Sequence, residues 1–99
     1  MNELQKHETV LAIDPGNFAT AYCVLRGDRK LISFEKLPNA EFLRFYETFL
    51  EVSPPTTIAC EMIASYGMAV GASVFETCVF LGQCKQIAVF FGQRWDQVV

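Results

Sequence analysis

The chain has 99 residues, which allows at most one domain with a modest core. Hydrophobic residues make up 52% of the sequence and include nine Phe, so an intrinsically disordered chain is excluded and extensive burial is required. The net charge of −3 is opposite in sign to that of most stand-alone nucleic-acid-binding domains. Any contact with DNA would therefore depend on where the few basic residues lie.

The N-terminal residues and the cysteines indicate a cytoplasmic protein whose cysteines are reduced. The polar residues 1–8 lack the apolar core of a signal peptide. The apolar tract 69–91 is long enough to span a bilayer, but it contains Glu76 and Lys85, and such charges cost about 2.5 to 3.5 kcal/mol each near the centre of a membrane helix. We expect no membrane span. The four cysteines form no Cys-x-x-Cys pair and His7 is the one histidine, so the sequence predicts buried thiols and no zinc site.

The first apolar segment stops at an acidic residue. Residues 10–13 show no polar alternation, which predicts a strand buried on both faces. Asp14 follows directly, and Pro15 with Gly16 allows a sharp turn before a second, antiparallel strand over residues 18–25. An acid in this position can hold a metal ion or the phosphates of a nucleotide, or it can simply begin a hairpin turn.

A third strand is predicted over residues 31–37, after a short turn, so that the first three strands form an antiparallel meander. The turn carries Arg26, Arg29 and Lys30. This basic cluster is a candidate DNA contact, although a solvated hairpin tip is the favoured explanation.

Two helices follow from the spacing of apolar residues. Aromatic and apolar residues recur at helical spacing over residues 40–52, with Asn39 in a suitable position for an N-cap. Residues 72–92 predict a longer helix that is apolar nearly all round and must therefore be buried on more than one side. Residues 95–99 predict a short fifth strand.

A second acid ends another apolar strand. Residues 57–62 predict a fourth strand that closes on Glu61. Because a strand, a helix and another strand form a right-handed crossover, the fourth strand should lie parallel to the first. Neighbouring strands are about 4.8 Å apart, so Asp14 and Glu61 could direct their carboxylates at one cation.

With both acids placed, the sequence resembles the RuvC-like Holliday junction resolvases of the ribonuclease H-like superfamily, most closely the phage-encoded members. Residues 12–16 (AIDPG) match the first catalytic motif and residues 58–61 (IACE) the second acidic strand. Residues 66–82 match the loop and helix that follow. The resemblance implies an α/β, ribonuclease H-like fold, with the meander, a parallel fourth strand, a short fifth strand and two helices.

The resemblance also implies a function. Asp14 and Glu61 would be the catalytic ligands of Mg²⁺ or Mn²⁺ in an endonuclease that hydrolyses a phosphodiester bond of branched DNA, the Holliday junction, as a homodimer. Tyr66 would be a candidate for stacking on a base of the junction. The helix over residues 72–92 would pair the two subunits, since it is apolar nearly all round.

One departure from the family limits this expectation. Such nucleases complete the metal site with further acids on a helix after the fifth strand, whereas after the predicted helix over residues 72–92 this sequence offers only Asp96. We therefore expect residues 1–99 to be a truncated, catalytically incomplete ribonuclease H-like domain. Two alternatives stay open: a non-catalytic fragment that dimerises or binds DNA, and the N-terminal half of an actin-like ATPase, for which a glycine-rich phosphate loop after Asp14 is missing.

Overall fold

The structure, a computed structural model, describes residues 8–61 and 71–98. Within these ranges the chain forms a five-stranded sheet and two helices. In chain order the elements are β1 Thr9–Asp14, β2 Ala19–Arg26, β3 Leu31–Pro38, α1 Asn39–Val52, β4 Thr57–Glu61, α2 Ala72–Phe90 and β5 Trp95–Val98.

The sheet has the strand order β3-β2-β1-β4-β5. β1, β2 and β3 form the predicted antiparallel meander. β4 joins the other side of β1 in parallel after the crossover through α1, and β5 joins β4 in parallel. The predicted α/β architecture is confirmed, and it makes β1 the central strand of the sheet.

The hydrophobic core lies on one face of the sheet, because successive strand residues point to opposite faces. Every second residue of β1, β2 and β4 packs there against both helices. The buried cluster consists of Leu11, Ile13, Tyr22, Val24, Ile58 and Cys60 from the sheet, Phe42, Tyr46 and Leu50 from α1, and Phe80, Cys84 and Ala88 from α2.

The opposite face of the sheet carries small side chains. Ala12, Cys23 and Ala59 are half-buried there and Phe34 is exposed, because no helix of residues 8–61 and 71–98 packs over them. The prediction that β1 is buried on both faces therefore holds at Val10, which is buried on this face, but not at Ala12. Only the face turned toward the helices is fully enclosed.

Helix α1 covers the sheet with the predicted aromatic stripe, in which Phe42 and Tyr46 are completely buried. The prediction that Asn39 caps this helix is wrong. Pro38 occupies the N-cap position, and the helix start has no side-chain cap hydrogen bond. Asn39 is the first helical residue, and its side chain binds instead to Gly16 and Thr20 near the β1–β2 turn.

Helix α2 buries one stripe of its surface and exposes another. Thr77, Phe80, Cys84 and Ala88 face the core. On the other side of the helix, the apolar residues Phe75, Val79, Val89 and Phe90 are exposed. Burial on more than one side, expected from the sequence, is therefore absent within the described part of this single chain. None of the helices described is both long enough and apolar enough to cross a membrane.

The four cysteines are free thiols, as predicted, but they are not all buried. Cys60 and Cys84 lie in the core, Cys23 is half-buried, and Cys78 is exposed on α2. Burial raises the pKa of both core thiols to about 12, with nearby ionisable groups adding to the shift.

Candidate functional site

The register of β1 and β4 brings the two strand-end acids together. Ile13 is paired with Cys60 in the parallel ladder, so Asp14 and Glu61 occupy the next positions on adjacent strands. Each is the last residue of its strand, and each is exposed. Ligand sites of sheets with parallel strands commonly lie at such carboxyl ends.

The two carboxyl groups interact directly. A hydrogen bond from the protonated Glu61 carboxyl to Asp14 raises the pKa of Glu61, and repulsion from the Asp14 charge and slight desolvation raise it further. Two carboxyl groups this close together do not readily lose both protons, because the two negative charges would repel each other. A proton relieves this repulsion, and a bound cation would do the same.

Small side chains leave the surface next to the acids open. A shallow depression of about 490 Å³ lies beside Asp14 and Glu61 on the uncovered face of the sheet. Its floor includes the alanines of three neighbouring strands and Cys23; the alanines are Ala12, Ala21 and Ala59. None of these residues is predicted from the sequence as part of the site, although small residues at alternate positions of an otherwise bulky strand are a visible signal.

The turn after Asp14 is tightly built. A Cβ on Gly16 would collide with the main-chain carbonyl of Ala19, so only glycine fits without a shift of the backbone. Asn39 donates from its side chain to the Gly16 carbonyl at 2.9 Å and from its backbone to the Phe18 carbonyl at 2.8 Å. These contacts tie the turn to the first residue of α1.

The basic cluster lies at the other end of the meander. Arg26 is paired with Thr9 at the start of β1, about 17 Å along the strand from Asp14 at the usual rise per residue. The Arg26 guanidinium makes two hydrogen bonds to Asp28, of 3.0 and 2.6 Å, and this interaction lowers the pKa of Asp28 to about 2. Arg29 and Lys30 are exposed in the same turn. The structure therefore does not bring the basic cluster to the acidic pair.

The remaining candidates contribute no third ligand in the described residues. Tyr66 lies outside them, within the range 62–70. Asp96 on β5 accepts a hydrogen bond from the Thr57 hydroxyl at 3.3 Å and pairs with Arg94 at 3.4 Å. Across residues 8–61 and 71–98, no group of three or more Asp, Glu, His or Cys residues is arranged to hold a metal ion.

No protein-family model matches the sequence, and no curated protein sequence matches it either. The fold, however, is similar to solved structures of RuvC from Thermus thermophilus. One of these is RuvC in complex with a Holliday junction substrate; it has a TM-score of 0.78 and 16% identity, and the match covers 93% of this chain and 64% of that one.

A second Thermus thermophilus RuvC structure has a TM-score of 0.70 and 19% identity, with 91% of this chain and 63% of that one covered. The present chain thus spans slightly less than two thirds of the RuvC chains. At this level of identity the likeness shows the fold alone, and residues 8–61 and 71–98 have a RuvC-like α/β fold.

Proposed function

We propose that this chain carries part of the active site of a RuvC-like endonuclease for branched DNA, with Asp14 and Glu61 as its metal ligands. The observation that supports this most strongly is the position of the two carboxyl groups, side by side at the ends of adjacent parallel strands. A RuvC-like fold makes nuclease chemistry the first candidate for such a pair.

The donor set fits a hard divalent cation. Carboxylate oxygens are the ligands that Mg²⁺ and Mn²⁺ prefer, and the repulsion between Asp14 and Glu61 would be relieved by a cation. Such an ion would supply Lewis-acid polarisation of a phosphodiester and a more acidic water molecule. The protein's part is to hold the two carboxylates together beside an open surface of small residues that admits a substrate backbone.

Branched DNA is the proposed substrate because one of the structural neighbours is a complex of RuvC with a Holliday junction. The exposed Arg29 and Lys30, with Arg26, are proposed as backbone contacts to an arm of the DNA that lies away from the acids. Base stacking by Tyr66 stays a prediction, as do a phage-encoded origin and a cytoplasmic location.

Two carboxylates are few for this chemistry, since a two-metal site must hold both cations in a fixed geometry. Because the present chain spans 64% of the RuvC chain it matches, we propose that residues 1–99 alone bind metal weakly and cleave DNA poorly. The whole activity would then depend on acids outside the pair described here.

The proposal is tested with a synthetic four-way junction and a duplex of equal length. Tighter binding of the junction, measured by gel shift in the presence of Mg²⁺, would support it, together with cleavage no faster than that of Asp14→Asn. Equal affinity for the two DNAs would contradict the proposed substrate. The chain could instead cleave the junction rapidly, with Asp14→Asn and Glu61→Gln abolishing cleavage and the exposed control Glu47→Gln leaving it unchanged. That result would contradict only the proposal that residues 1–99 are catalytically incomplete.

A second candidate function, a non-catalytic dimerising module, is supported by helix α2. Its exposed Phe75, Val79 and Phe90 form an apolar surface on the side opposite the core. We propose that a second copy of the chain covers this surface, which is compatible with either function because a RuvC-like nuclease would also act as a dimer. The third alternative, an actin-like ATPase, predicts ATP binding, whereas the nuclease proposal predicts Mn²⁺ binding without ATP.

A further inference from the structure

We propose that Asn39 and Thr20 are positioning residues, which fix the β1–β2 turn and thereby hold the Asp14 carboxylate in place beside Glu61. We call these two residues the Asn39 clamp. The inference rests on the proposed function of Asp14 and Glu61 as metal ligands, and it assigns a role to two residues outside that acidic pair.

The Asn39 clamp holds the turn at two points. The backbone N–H of Asn39 donates to the Phe18 carbonyl at 2.8 Å, and its side-chain Nδ2 donates to the Gly16 carbonyl at 2.9 Å. Both carbonyls belong to the four residues that connect Asp14 to β2. The turn therefore cannot shift away from α1 without the loss of one or both bonds.

Thr20 provides the hydrogen-bond partner for the oxygen of the Asn39 side chain. Its hydroxyl donates to Asn39 Oδ1 at 2.7 Å, and Thr20 itself is completely buried. Because the Gly16 carbonyl can only accept, Nδ2 must face it, and Oδ1 is then left to accept from Thr20. The Gly16 carbonyl alone thus fixes the orientation of the amide, and the Thr20 hydroxyl, which can donate or accept, satisfies Oδ1.

The clamp is anchored on rigid structure. Asn39 begins α1, whose Phe42 is completely buried and whose Phe45 stacks on Tyr22 of β2 with ring centroids 4.2 Å apart. Through Asn39, the turn is thereby attached to a helix that packs in the core. Gly16 keeps the turn compact, since a larger residue there would collide with the Ala19 carbonyl.

The functional consequence concerns the direction of one side chain. Asp14 is paired with Ala21 of β2 on one side of the turn and is followed directly by the clamped residues 15–18, so the path of these residues contributes to where its carboxylate points. Groups that orient metal ligands without contacting the ion commonly change metal affinity by 10- to 100-fold when removed. We expect an effect of about tenfold here, because the clamp acts through the backbone.

The test measures Mn²⁺ affinity of the 99-residue chain from the electron paramagnetic resonance signal of free Mn²⁺. Asn39→Ala and Thr20→Val should each weaken Mn²⁺ binding about tenfold. Thr20→Ser keeps the hydroxyl and should bind Mn²⁺ like the wild-type chain. Thr57→Val is the matched control, because Thr57 is also a buried, hydrogen-bonded threonine but lies at the start of β4, away from Glu61. It should lower the melting temperature without changing Mn²⁺ affinity more than about twofold.

The outcomes separate the two proposals. If Asp14→Asn abolishes Mn²⁺ binding while Asn39→Ala and Thr20→Val bind Mn²⁺ like the wild type, the positioning role of the Asn39 clamp is contradicted. The metal site at Asp14 and Glu61 is then still supported. If the control Thr57→Val weakens binding as much as Thr20→Val, the clamp is overturned as well, because the effect then follows stability alone. If the wild-type chain binds no Mn²⁺, or binds it equally after Asp14→Asn, the metal site fails and the inference fails with it.

Discussion

Glu61 lies beside Asp14 at the ends of two parallel strands, one position beyond the Ile13–Cys60 pair, and a hydrogen bond between their carboxyl groups raises the pKa of Glu61. This relationship is a consequence of topology. Two residues that are 47 positions apart in sequence become neighbours because the crossover through α1 returns the chain to the free side of β1.

The first prediction follows from the sign of this pKa shift. Because the folded chain binds the Glu61 proton more tightly than the unfolded chain does, the associated stability is present at low pH and is lost as the pH rises through the raised pKa. Asp14→Asn removes the repulsion. Its melting temperature without metal should therefore exceed that of the wild type at about pH 7, with the gain shrinking toward about pH 4.

Asp96→Asn is the control for that measurement. Asp96 accepts a hydrogen bond from Thr57 and pairs with Arg94, so its removal takes away attraction rather than repulsion. Its melting temperature should not rise above that of the wild type at any pH. A loss of stability in Asp14→Asn at about pH 7 would contradict the repulsion between Asp14 and Glu61.

The second prediction concerns the core. Tyr46 is completely buried and its hydroxyl donates to the Cys84 carbonyl at 2.7 Å, which connects α1 to α2. Tyr46→Phe should cost about 1 kcal/mol of unfolding free energy, and Phe42→Ala about 3 to 5 kcal/mol. Urea denaturation measures both, with the exposed Glu47→Gln expected to change stability by less than about 0.5 kcal/mol.

The third prediction concerns thiol reactivity. Cys60 and Cys84 are buried and have a pKa of about 12, so almost no thiolate is present near neutral pH, whereas Cys78 is exposed on α2. A thiol reagent should modify Cys78 first and reach the two core cysteines only on unfolding. Mass spectrometry of the labelled peptides identifies the sites. Rapid labelling of Cys60 or Cys84 in the folded protein would contradict the described core.

The fourth prediction concerns the exposed surface of α2. Val79→Glu should shift a dimer toward the monomer in sedimentation velocity, because it places a charge in the apolar surface beside Phe75. Thr48→Glu adds the same charge at an exposed position of α1, away from this surface, and should have little effect. A wild-type chain that is monomeric at all concentrations would contradict the homodimer.

Much of the fold was predictable because local pattern and topology rules agree. The run of apolar residues before Asp14 and the aromatic spacing of α1 each define one element, and the handedness of the crossover then places Glu61 next to Asp14. The sequence therefore predicts that the two acids are neighbours, as positions at the ends of two adjacent strands.

The parts that were missed depend on contacts between distant residues. Asn39 has the residue type and position of an N-cap, but the turn at Gly16, 23 positions earlier, offers its side chain a different partner. Likewise, the composition of α2 indicates burial all round, whereas among the residues that the structure describes only one side of this helix is buried. Sequence spacing along one helix cannot reveal either contact.

The most direct test of the central claim is a titration of the ¹⁵N-labelled chain with Mn²⁺, observed by nuclear magnetic resonance. Paramagnetic broadening should begin at the amides of Asp14 and Glu61, at Mn²⁺ concentrations up to about 1 mM, and should disappear in Asp14→Asn and Glu61→Gln but persist in Glu47→Gln. Broadening that begins instead at the turn around Asp28, or that is unchanged in Asp14→Asn, would contradict a metal site formed by Asp14 and Glu61.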